Sequence, residues 1–141
     1  MIRSLFLILG ILTSVTCGCS DRHVDLANVS GTITRAGQPV AQVTVAFQPI
    51  AMGKMNPGPG SYGVTDAQGR YELKTFDNNL PGAVVGKHRV IIDPDLHKSS
   101  ADDRQVFSKD KTAERFRDGS LVIEVTPIGL SHVDFDLATT P

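Results

Sequence analysis

Gly60-Ser-Tyr-Gly-Val-Thr-Asp-Ala-Gln-Gly-Arg-Tyr-Glu-Leu73 is two short apolar-alternating runs joined by turn residues. Tyr62 and Val64 lead into Thr65-Asp66-Ala67-Gln68-Gly69, and Tyr71 and Leu73 lead out. Asp66 suits the first position of a type I turn, where a carboxylate accepts from N–H groups further round. Gly69 suits the closing position, where a positive φ is often required. Period-2 spacing on both flanks predicts a hairpin with one buried face, built on Tyr62, Val64, Tyr71 and Leu73.

Outward from this hairpin the same alternation recurs. Val29, Gly31 and Ile33 alternate with Ser30, Thr32 and Thr34, and Val43, Val45 and Phe47 alternate with Thr44, Ala46 and Gln48. Arg35-Ala-Gly-Gln-Pro39 separates the two runs, which predicts a second hairpin. Gly86-Lys-His-Arg-Val-Ile-Ile-Asp93 reads as one strand, with Lys87, His88 and Arg89 expected on a solvated edge. Leu121, Ile123 and Val125, then Val133, Phe135 and Leu137, predict a closing hairpin with Asp134 and Asp136 on its outer face. Turns at such short intervals predict an all-β fold, a β-sandwich of seven strands. Between the strands, Ile50 to Gly60 reads as a loop and Pro94 to Gly119 as an insertion anchored by Phe116.

Composition limits the functional classes. The chain has 141 residues, 40% hydrophobic and 21% charged, enough for one modest core. A formal charge of −1 and the absence of Trp argue against nucleic acid, which demands a basic surface.

The first residues read as an export leader. Arg3 precedes the apolar run Leu5-Phe-Leu-Ile-Leu-Gly-Ile-Leu12, which is too short to span a bilayer but has the length of a signal-peptide hydrophobic region. Cys17 and Cys19 stand where the leader ends, and Ser14-Val-Thr-Cys-Gly-Cys-Ser20 resembles a bacterial lipobox. Gly18 before Cys19 makes Cys19 the preferred acylated residue, with Cys17 the alternative. Ordinary cleavage, with both cysteines free or bridged, is the competing reading. The expected division is a leader over 1–18, a tether over 19–27 and a domain over 28–138. The expected product is a cell-envelope lipoprotein held in a membrane, outer before inner, by its acyl chains.

The ordered motifs Val29-Ser-Gly-Thr-Ile, Gly37-Gln-Pro39 and Thr65-Asp-Ala-Gln-Gly-Arg-Tyr71 resemble the carboxypeptidase regulatory-like family. That resemblance implies a transthyretin-like sandwich in a small bacterial lipoprotein. It gives Gly31, Gly37, Pro39, Asp66, Gly69 and Tyr71 turn and structural roles. It further implies a non-enzymatic module for an envelope protein or, alternatively, a glycan. Glycan binding would need Tyr62, Tyr71 or Phe116 outside the core.

No catalytic constellation stands out. The sequence has no G-x-S-x-G elbow, and no cysteine follows Cys19. His88 or His97 with Asp93 and Asp95 is a weak metal pattern, and Asp93, Asp95, Asp102 and Asp103 match no calcium loop. Met52 and Met55 suit flexible apolar filling better than copper. Hydroxyisourate hydrolases, similar in shape to transthyretin, end in a Tyr-Arg-Gly-Ser tail that differs from Ala138-Thr-Thr-Pro141. The expectation is no enzyme, no cofactor and no metal.

Overall fold

The computed structural model describes residues 24–54, 56–93 and 115–138. The leader, Cys17, Cys19, Met55, Asp95, His97, Asp102 and Asp103 lie outside the described residues. Among the described residues every regular element is a strand: β1 (Leu26–Ala27), β2 (Ser30–Arg35), β3 (Gln38–Pro39), β4 (Thr44–Pro49), β5 (Ser61–Val64), β6 (Arg70–Glu72), β7 (Lys74–Thr75), β8 (Ala83–Val84), β9 (Gly86–Asp93), β10 (Val122–Val125) and β11 (Phe135–Asp136). The all-β expectation holds. Among the described residues there are eleven strands, most of them short, because the chain repeatedly breaks a strand to change sheet.

One sheet runs in the order β10-β9-β4-β5-β7. The other is built on β2, which pairs β11 in parallel and both β3 and β6 antiparallel. A two-stranded piece, β1 with β8, completes the sandwich-like arrangement. The core holds Ile33, Val43, Val45, Phe47, Tyr71, Leu73, Val90, Ile92, Phe116 and Leu137. Strand β4 is buried on both faces over Thr44–Phe47, since it lies centrally between β9 and β5.

Each of the three expected hairpins is corrected. Strand β2 turns at Ala36-Gly37 and pairs with β3, while β4 joins the other sheet. Strands β5 and β6 keep the tight turn between them but also belong to different sheets, β6 pairing β2. Leu73 marks the change of sheet: its N–H donates to the Val29 carbonyl, and β7 then rejoins β5. The inward residues of β5 are Ser61 and Gly63, with Tyr62 and Val64 half-exposed. Packing explains the swap, since a Cβ at Gly63 would lie 2.5 Å from the Glu72 carbonyl. Strand β10 pairs β9 and β11 pairs β2, so the closing hairpin is replaced by two separate edges.

Two further readings change. Strand β9 is flanked by β10 and β4, so Lys87-His88-Arg89 is not a sheet edge. Lys87 and Arg89 are exposed, but His88 points inward and is fully buried. The stretch read as tether ends in β1, with Ala27 in the core.

Candidate functional site

A parallel approach creates the main recess. The chain from Leu130 to Asp136 runs alongside β2: Ser30 N–H donates to the Leu130 carbonyl, Val133 N–H to the Ser30 carbonyl and Leu137 N–H to the Thr34 carbonyl. Gly31 permits this closeness, because any Cβ there would collide with the Val133 carbonyl. Tyr71, opposite Gly31 on β6, donates its hydroxyl to that same carbonyl at 2.7 Å. Burial pushes the Tyr71 phenol well above its ordinary value, and the Asp134 carboxylate adds to the effect.

Beside this contact lies a cleft of about 520 Å³, whose polar lining includes Asp66, Arg70, Glu72, Ser131, His132 and Asp134. Two of its carboxylates, Asp66 and Asp134, are held by the scaffold. Asp66 Oδ1 accepts from the Gln68 and Arg70 N–H groups at 2.9 Å each, while Gly69 N–H closes the turn on the Asp66 carbonyl. Gly69 takes φ +74°, where a side chain would be strained. The Arg70 N–H foremost, then the Gln68 N–H and the Arg70 guanidinium, hold the Asp66 carboxyl below its ordinary value despite an opposing desolvation effect. Asp134 Oδ1 accepts from Thr32 N–H at 2.7 Å and from the Thr32 hydroxyl at 2.5 Å. The pair Arg70–Asp66, 3.1 Å apart, is solvent-exposed and contributes little.

The remaining sequence-selected residues lie in and beside the β2–β3 turn, next to Gly69. Gly37 sits in the β2–β3 turn, its N–H donating to Asp136 Oδ2 at 3.1 Å, and Pro39 ends β3 in solvent opposite Thr34. Asp136 also accepts from the N–H groups of Ala36 and Ala138, each at 2.9 Å. The Ala138 N–H is the chief cause of its lowered pKa. Of the six selected positions, the structure gathers Gly31, Asp66 and Tyr71 at the cleft and places Gly37, Pro39 and Gly69 in or beside turns. Sequence reasoning missed Arg70, Glu72, Ser131 and His132 as cleft residues. No local signal marks them, since the cleft exists only where segments about a hundred positions apart meet.

Two other features complete the picture. His88 donates Nδ1–H to the Gly86 carbonyl at 3.0 Å, while its buried Nε2 has no hydrogen-bond partner among the described residues. Burial pushes its pKa down. Tyr62 stacks on Phe76 with ring centroids 4.7 Å apart, and the Lys74 ammonium lies 5.1 Å from the Tyr62 centroid. Phe76 is 57% exposed, so this pair forms a small aromatic surface outside the core. Among the described residues no group of three or more His, Cys, Asp or Glu side chains is placed to hold a metal.

Family models, curated proteins and solved structures give no match to this chain.

Proposed function

We propose that the chain is a lipid-anchored protein of the bacterial cell envelope, acylated at Cys19, whose transthyretin-like sandwich binds a partner protein without transforming it. The observation that carries this reading is how the ionisable groups are used. Asp66, Asp134 and Asp136 bond turn and strand N–H groups, Asp93 pairs with Arg117 at 3.2 Å, and His88 is sealed in the core. These groups hold the scaffold, while the cleft, where Glu72 and His132 stand exposed, offers hydroxyls and charges of both signs to a bound chain.

A photocrosslinker placed at Glu72 or His132, both exposed at the cleft, tests the role in intact envelopes. A discrete protein adduct that disappears with Arg70→Glu is expected; adducts unaffected by that change refute a partner site there. Cys17→Ser and Cys19→Ser variants grown with a fatty-acid analogue test the anchor. Label is expected to vanish with Cys19→Ser, and label lost only with Cys17→Ser moves the site.

Glycan binding is the second reading, favoured by the Tyr62–Phe76 stack outside the core. Phe76, 57% exposed beside the Tyr62 ring, would offer the stacking surface for a sugar. A glycan array without hits, and no saccharide-induced rise in Tm, would remove it.

A further inference from the structure

The exposed large apolar side chains are unevenly distributed. Met52 is 76% exposed, Phe76 57%, Leu80 47% and Ile128 97%, and all four belong to connections at one end of the sandwich. The strand pairings locate that end. Ile50 N–H donates to the Lys87 carbonyl, so the loop carrying Met52 leaves beside the start of β9. Val125, at the end of β10, pairs with Gly86, and the chain continues into the turn that carries Ile128. Phe76 N–H donates to the Gly60 carbonyl, and Leu80 closes the same loop by accepting from Thr75 N–H. Val122, the fifth such residue, stands within β10 instead.

The described chain begins at the same end. Gly58, in the Met52 loop, lies against both Val24 and Val84, and Val85 N–H donates to the Asp25 carbonyl. Five residue steps separate Val24 from Cys19, a reach of at most roughly 17 Å. Nearby exposed charges balance, Lys54, Lys74 and Lys87 against Asp25, Asp77 and Glu124, so no net charge opposes an anionic headgroup layer.

We infer that this end lies against the bilayer, with Met52, Phe76, Leu80 and Ile128 entering the headgroup region as a second attachment beside the acyl chains. The inference rests on the acyl anchor proposed above. It explains why apolar side chains that would otherwise favour self-association gather where the tether joins the domain. It also turns the opposite end, with the Asp66–Gly69 turn, away from the lipid.

The test uses the full acylated chain in phosphatidylethanolamine–phosphatidylglycerol vesicles whose acyl chains carry a spin-label quencher. A fluorophore is attached at Met52→Cys or Ile128→Cys, and at Gln68→Cys on the far turn. Quenching several-fold stronger at positions 52 and 128 than at 68 is expected. Unacylated chain should cosediment with the same vesicles, and Met52→Ser with Ile128→Ser should lower that fraction without changing Tm. An acylated chain quenched equally at both ends, or at neither, overturns the inference alone. A wild-type chain that takes up no fatty-acid label overturns the anchor, and the inference with it.

Discussion

The Tyr71 hydroxyl donates to the Val133 carbonyl at 2.7 Å across a gap that only a glycine at position 31 leaves open. A side chain from one motif thereby ties down a segment 62 positions further along. Tyr71→Phe keeps the packing and removes the bond, so it should cost about 1 kcal/mol, the usual net value of such a bond. Urea denaturation should show a lower midpoint at unchanged slope.

Gly31→Ala should cost more, about 1–3 kcal/mol, because backbone rather than a flexible side chain stands in the way. Displacing Val133 would also break the Tyr71 bond. The double variant should therefore lose less than the two single losses added, a coupling that a double-mutant cycle measures.

Phe116 is buried and meets Phe135 edge-on with centroids 6.2 Å apart, while its carbonyl accepts from Ile92 N–H. Phe116→Ala should destabilise by about 3–5 kcal/mol. Phe116→Leu should retain most of the burial and lose chiefly the aromatic pair, about 0.5–1.5 kcal/mol. Thermal unfolding of both variants checks the order.

His88 should make stability depend on pH. Burial lowers its folded-state pKa from the ordinary 6.5, so the unfolded chain binds the proton more readily. Its contribution is complete above pH 6.5 and is lost as pH falls through the lowered value. Asp66, Asp118 and Asp136 have folded values below 3.8, so their contributions are lost in a separate, more acidic window. His88→Leu should flatten the upper window and leave the lower one intact, as chemical denaturation across pH would show.

Strand faces were more legible than strand partners. The alternation places Val90 and Ile92, and Val43, Val45 and Phe47, on an inward face, because a period of two depends only on the pleat. It carries no information on which strand lies alongside, and β2 with β4, β5 with β6, and β10 with β11 all separate into different sheets. In β5 the inward positions are Ser61 and Gly63, chosen for close approach, which a search for apolar residues passes over. His88 was hidden between two cations that point the other way. The turn at Asp66–Gly69 was readable because its hydrogen bonds are local, whereas the cleft beside it needs Asp134 to meet Thr32 across 102 positions.

The parallel pairing of Phe135–Asp136 with Ile33–Thr34 has a kinetic corollary. Strand β2 gains its last neighbour only from the C-terminal stretch, so a folding chain keeps one flank of that strand open until that stretch docks. Closing so wide a loop is entropically slow.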